Sequence, residues 1–166
     1  MTLKARLTYT VFVILLFLLF ALQAPRVESS SADTPTPAVQ SAQSNVEQTL
    51  EYAWAAEYIK AVNKRLTNGE AEMFARYALQ YADEFDLDAH LYLALIKVES
   101  GFQPELKSSA GAIGLTQVIP RWHQNKIEEG RTRLGVYSMY EPKLNLYVGA
   151  RTLREMLDLS SNTRNG

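Results

Sequence analysis

The sequence predicts one mainly α-helical domain behind an apolar N-terminal segment. The chain has 166 residues, enough for one domain of ordinary size and too few for a multidomain assembly. From residue 44 onward, large apolar residues recur every three or four positions, the spacing of a helix with one buried face. No alternation of apolar and polar residues runs long enough for a sheet, and no internal repeat is present.

Residues 7–24 carry no charge and follow Lys4 and Arg6, so they are expected to enter a membrane. These 18 residues just reach the roughly 17 needed to span a bilayer, while the apolar centre at residues 11–22 also fits the core of a signal peptide. Pro25 disfavours cleavage after Ala24, and the Ser30-Ser31-Ala32 alternative lies far from the apolar run. Residues 1–24 are therefore read as an uncleaved signal-anchor, with a cleaved signal peptide as the alternative. The N-terminal cations hold that end inside and send residues 25 onward across the membrane. Residues 25–43 are rich in Ser, Pro, Ala and Thr without apolar periodicity, the composition of a flexible linker.

The folded domain is expected over residues 44–166. Ser44 and Glu47 form an S-x-x-E capping signal, and Val46, Leu50, Trp54, Tyr58, Ala61, Val62 and Leu66 follow at helical spacing. Asn68-Gly69 is the expected stop. Phe74, Ala78, Tyr81, Ala82 and Phe85 mark a second helix ending near Asp86, with an aromatic stripe suited to core packing. Asp88 is the expected N-cap of a third helix, in which residues 91–98 (LYLALIKV) are apolar almost all round, as in a fully buried helix. Pro120 opens a fourth helix ending at Gly130, and Pro142 a fifth running to about Leu159. Between the third and fourth, Gly111 and Gly114 among short apolar residues predict a tight loop or small β-ribbon.

Charge and composition narrow the chemistry. Seventeen basic residues against eighteen acidic ones leave no excess to neutralise a phosphate backbone, so nucleic acid is not an expected partner. The absence of cysteine excludes disulfides, thiolate nucleophiles and Cys-rich zinc sites. His90 and His123 are far apart and lack the H-E-x-x-H spacing, so no metal site is expected.

Glu99 ends the apolar third helix, four and eight residues after Leu95 and Leu91 and on their face. Burial and the negative end of the helix dipole both favour its protonated form. A glutamic acid so placed is suited to donate a proton to a leaving-group oxygen, as in glycoside cleavage. On the pattern alone, a side chain curling out to solvent from a frayed helix end is the commoner arrangement. The segment Gly111-Ala112-Ile113-Gly114-Leu115-Thr116-Gln117 offers close backbone approach and an amide suited to sugars, or simply a glycine-containing turn. It lacks the spacing of a phosphate loop. Asp83, Glu84, Asp86, Asp88 and Glu105 read as solvated surface charges.

Taken together, these residues carry a resemblance. Val98-Glu99-Ser100-Gly101-Phe102, then Ser108-Ser109-Ala110-Gly111-Ala112-Ile113-Gly114-Leu115-Thr116-Gln117-Val118-Ile119-Pro120, then Pro142 and Asn145-Leu146-Tyr147-Val148-Gly149 with Leu153, resemble the catalytic domain of soluble-lytic-transglycosylase (SLT) enzymes in order and spacing. The likeness is strongest over residues 70–158. It implies a lysozyme-like helical fold of the goose-type kind and cleavage of the β-1,4 bond between N-acetylmuramic acid and N-acetylglucosamine in peptidoglycan, without a cofactor. By the resemblance Glu99 is the catalytic acid, Ser100 hydrogen-bonds or positions it on the substrate side, Gln117 contacts sugar, Gly114 keeps the cleft floor narrow, and Asn145 and Gly149 support the cleft. Thr116 stands where the family often has Met, a change expected in the cleft lining.

The resemblance further implies peptidoglycan glycan strands as partner and a domain facing the periplasm or cell wall, anchored in the inner membrane through residues 7–24. Small relatives of this kind suggest service to an envelope-spanning machine or to phage components. One departure is visible. The family's A-Y-N-A-G-type segment, whose Tyr and Asn line the cleft, has no counterpart after Leu159, so the domain is expected to be C-terminally shortened, with one cleft wall open. Its activity is then expected to be weak, absent or dependent on a completing partner. The alternatives are a catalytically silent peptidoglycan-binding tether and a lysozyme-type hydrolase.

Overall fold

The computed structural model describes residues 37–164; the apolar segment at 7–24 and the linker as far as residue 36 lie outside the described residues. The architecture is mainly α. The elements are α1 (Pro37–Val62), α2 (Asn68–Glu84), α3 (Ala89–Ser100), a 3-10 turn (Pro120–Trp122), α4 (Gln124–Leu134) and α5 (Pro142–Arg164). The expected β-ribbon reduces, among the described residues, to two isolated antiparallel bridges, Lys107 with Ile113 and Ile113 with Val118. None of the described helices is long and apolar enough to cross a membrane.

α1 begins at Pro37, seven residues before the expected cap at Ser44, so part of the presumed linker is helical. Proline suits the first turn of a helix because it has no N–H to leave unpaired, and the Ala and Gln residues that follow are good helix formers. The buried line on this helix is also displaced from the expected stripe. Ala55 and Ile59 are buried, whereas Val46, Leu50 and Trp54 are exposed. The small Ala55 side chain lets a neighbour approach, a feature that spacing of large apolar residues does not reveal.

Asn68-Gly69 does not stop α1 but opens α2. Thr67 caps that helix: its hydroxyl accepts from the Glu70 N–H (3.2 Å), and the Glu70 carboxylate accepts from the Thr67 N–H (2.7 Å). This capping box satisfies two otherwise orphaned donors and pulls the Glu70 carboxyl below the ordinary range. Phe74, Ala78, Tyr81 and Ala82 are buried as the aromatic stripe predicts.

The centre of the core is α5, not α3. Leu144 through Ala150 are buried without interruption, while on α3 only Tyr92, Leu93, Ile96 and Ser100 are, and Val98 is exposed. α2 packs against α1, α3 and α5, and α4 packs on α5. The buried Tyr92 hydroxyl donates to the Leu146 carbonyl (2.6 Å) and ties α3 to α5. Gly130 lies inside α4 and does not end it. A Cβ there would stand 2.6 Å from Leu144 Cδ1 and 2.9 Å from Tyr147 Cδ1, so glycine is what allows α4 and α5 to cross this closely. The stop is Gly135, in the left-handed conformation. α5 likewise continues past Leu159 to Arg164.

Candidate active site

Asp88 starts α3 by accepting the Leu91 N–H (2.8 Å), and Glu99 stands one residue from the far end. The helix ends because Gly101 adopts φ 58° and ψ 34° and donates its N–H to the Lys97 carbonyl (2.9 Å). Phe102 follows in the same left-handed region (φ 58°), a conformation that costs a side-chain-bearing residue about 1–2 kcal/mol. Its ring is fully buried. That burial helps hold the strained turn immediately after Glu99.

Glu99 is half-buried, whereas every other described acidic residue is exposed. Asp83, Glu84, Asp86, Asp88 and Glu105 all belong to the exposed set, Glu84 partly shielded by its ion pair with Arg133 (2.9 Å). Burial holds the Glu99 carboxyl above the ordinary carboxylate range. Its place at the helix C-terminus acts in the same direction. Among the described residues no cation forms an ion pair with it.

Ser100 does not hydrogen-bond Glu99. Its buried hydroxyl donates back along the helix to the Ile96 carbonyl (3.2 Å), so any influence on the acid passes through the backbone.

The other sequence-predicted residues lie in and against the loop at residues 106–118, which one side chain fixes to α5. Asn145 is buried, and its Oδ1 accepts from the Thr116 N–H (2.9 Å) and lies within reach of the Thr116 hydroxyl (2.9 Å). Its Nδ2 donates to the Ile113 carbonyl (2.9 Å) and the Met139 carbonyl (3.0 Å). The amide therefore satisfies its own polar atoms and those of two loop residues and of Met139, just before α5. Gly114 (φ 76°) lies against this amide, where a Cβ would come 2.4 Å from Asn145 Nδ2. Gly149 faces Thr116, whose Cγ2 would be 2.5 Å from an added Cβ. Thr116 is itself buried, so it fills the seam between loop and helix and does not line a cleft. Its hydroxyl is what a methionine in this place would lack.

Gln117 spends its donors within the loop: Nε2 reaches the Gly114 carbonyl (2.9 Å) and the Leu106 carbonyl (3.2 Å). What remains for a ligand is its carbonyl oxygen, an acceptor. Gln117 also takes a positive φ of 49°, uncommon for a residue with a side chain.

Residues 76–165 match the family model described as Transglycosylase SLT domain. The chain belongs to this family. A protein described as "Transglycosylase" from Enterobacteria phage PRD1 is 36% identical over 75 residues, which are 45% of this chain and 25% of that protein. The match thus spans about a quarter of the relative's length. The SLT segment begins within α2 and contains Glu99, Ser100, Gly114, Gln117, Asn145 and Gly149. α1 lies wholly outside it, and with it Tyr58 and Asn63, which touch Phe102. Neither was predicted from the sequence, where Tyr58 appears only as one apolar residue among seven.

A groove of about 770 Å³ runs between α1 and α2, lined by Tyr52, Ala56, Lys60, Ala71 and Arg76 among others. Glu99 is not among its lining residues, so the acid stands apart from it. No group of His, Asp and Glu suited to a metal ion occurs among the described residues.

Proposed function

We propose that this SLT-family chain is a lytic transglycosylase that cleaves the β-1,4 bond between N-acetylmuramic acid and N-acetylglucosamine in peptidoglycan strands. One observation carries the reading: among the described acidic residues, Glu99 is withdrawn from solvent without an ion pair, in the family segment and near the end of α3. A carboxyl whose protonated form is favoured by burial gives its proton to the glycosidic oxygen as the C1–O bond breaks. The resulting carboxylate takes the proton of the muramyl 6-hydroxyl as that oxygen bonds to C1. The glutamic acid is restored, no water is consumed, and the product is a 1,6-anhydro sugar. A two-carboxylate glycosidase needs a partner acid about 5–9.5 Å away. The one-carboxyl route needs no such partner.

In this reading the Gln117 carbonyl oxygen accepts from a hydroxyl or N-acetyl N–H of the sugar, and the Asn145 clamp keeps the loop in place beneath it. Gly114 contributes by letting the loop and the amide meet. The similarity to a phage transglycosylase supports a role in opening the wall locally, for phage passage or for an envelope-spanning machine. Tethering through residues 7–24, with the domain in the periplasm, places the acid where its substrate is.

The test is mass analysis of the fragments that the full chain releases from purified peptidoglycan, with Glu99→Gln alongside. Anhydromuramyl products that disappear in the variant are the expected outcome. Reducing-end products that depend on Glu99 would make the chain a hydrolase of lysozyme type. Binding to peptidoglycan without release of either product would make it a silent tether.

A further inference from the structure

The backbone around Glu99 is held from outside the family segment. Asn63, in the turn after α1, donates from Nδ2 to the Phe102 carbonyl (2.9 Å), across 39 positions of chain. Its own backbone N–H is fixed to the Ile59 carbonyl (2.9 Å), and its Oδ1 accepts the Arg65 N–H (3.2 Å). Tyr58, one turn earlier, meets the buried Phe102 ring edge-on, with centroids 6.1 Å apart and planes at 90°. The Lys97 ammonium lies over the same tyrosine ring, 5.7 Å from its centroid. Tyr58 therefore touches the chain two residues before Glu99 and three residues after it. Trp54 stacks against Tyr58 at 5.7 Å and stiffens that contact.

A side-chain-bearing residue such as Phe102 does not favour φ 58° by itself, so the turn depends on what holds it: the Gly101 N–H on the Lys97 carbonyl, the Gln103 side-chain amide on the Ser100 carbonyl, the buried Phe102 ring and, at the far end, Asn63. We infer that Tyr58 and Asn63 of the α1 arm are positioning residues for Glu99, locking the Gly101-Phe102 turn so that the acid keeps its half-buried place. The inference rests on the reading of Glu99 as the acid. Burial holds its carboxyl up, and among the described residues no ion pair competes with placement for control of its proton.

The experiment uses the full chain with carbon-13-labelled glutamate, comparing wild type, Asn63→Ala, Tyr58→Ala and Tyr58→Phe. The Glu99 titration is followed by NMR, and peptidoglycan cleavage by steady-state kinetics. Releasing the turn hydrates the carboxyl. In Asn63→Ala and Tyr58→Ala the Glu99 midpoint is expected to fall toward the ordinary carboxylate value, with kcat lowered on the order of tenfold and KM nearly unchanged, since misplacing one reacting group costs rate more than affinity. Tyr58→Phe, which keeps the ring edge, restores both. A lowered melting temperature with titration and kcat at wild-type values would overturn the inference, leaving the two residues a structural role only. Should Asn63→Ala fail to fold, the two Tyr58 variants decide on the same readouts. Cleavage that persists in Glu99→Gln would sink the acid assignment instead, and the titration would still decide whether Tyr58 and Asn63 govern the carboxyl's surroundings.

Discussion

The two halves of the candidate site are built on opposite plans. The loop carrying Gln117 is fastened by Asn145, which engages Ile113, Thr116 and Met139, with Gly114 and Gly149 leaving no spare volume at the seam. Glu99 is in no ion pair with the described residues, and burial, with the helix C-terminus acting in the same direction, holds its carboxyl up. Under the proposed function, the difference follows from what each half has to do. A surface that receives a sugar gains from rigidity, because donors and acceptors fixed in advance need no reorganisation on binding. A carboxyl that both gives and takes a proton is hampered by a strong fixed partner, since an ion pair would hold it in one charge state.

The largest effect comes from the half that is left free. Glu99→Gln keeps the size and polarity of the side chain but cannot release and recover a proton, so cleavage is expected to fall by at least about 10²-fold. The far-ultraviolet circular dichroism spectrum should not change. Equal turnover by variant and wild type would break the comparison, because the unpartnered acid would then have no chemical purpose.

Next in size is damage to the fastened half. Asn145→Ala leaves the Thr116 N–H and two carbonyls without their buried partner and opens a cavity, an expected loss of about 3 kcal/mol in unfolding free energy. Urea denaturation measures it. Here stability falls while Glu99 itself is untouched, so the pH dependence of residual cleavage is expected to keep its shape. A shifted pH profile in Asn145→Ala would show that the two halves are coupled.

The sequence exposes these halves unequally. Asn145, Gly149, Gly114 and Glu99 are all marked by motif spacing, and Pro142 and Asp88 open their helices where propensity and capping say they should. What spacing does not convey is where a side chain's hydrogen bonds go. Ser100 turns back to Ile96, Gln117 gives its donors to its own loop, and Thr116 is buried in the seam, because each competes for nearby backbone groups that only the fold brings within reach. Glycines mislead for a related reason. Gly69 and Gly130 read as helix ends, but one sits in the first turn of α2 and the other at a helix crossing. The pinning of Phe102 by Asn63 spans 39 positions and has no local signature.

A third effect has a definite sign in pH. The unfolded chain titrates Glu99 near 4.5, and the folded chain does so at a higher value. Between those values the folded state binds more protons, so this group's contribution to stability is complete below 4.5 and is lost as pH rises through the folded value. Glutamine at this position has no charge to desolvate. Glu99→Gln is therefore expected to be more stable than wild type at about pH 7.5, with the advantage gone at about pH 4. Urea midpoints at the two pH values decide the matter. An advantage of equal size at both would mean that packing, not ionisation, separates the two side chains.

The smallest effect tests whether the far end of α3 shares in controlling the acid. Asp88 accepts the Leu91 N–H and is exposed, so Asp88→Ala removes one cap at a cost of about 1 kcal/mol. The lesion is eleven residues from Glu99 along a helix tied to α5 by the Tyr92 hydroxyl bond. Fraying at the first turn is stopped there, because breaking that buried bond would expose a phenol and a carbonyl with no replacement partners. The Glu99 titration and the cleavage pH profile are thus expected to match wild type while the urea midpoint drops slightly. A shifted profile would mean that α3 moves as a rigid rod and that placement of the acid is set along the whole helix, which would weaken the case for a local device at Phe102.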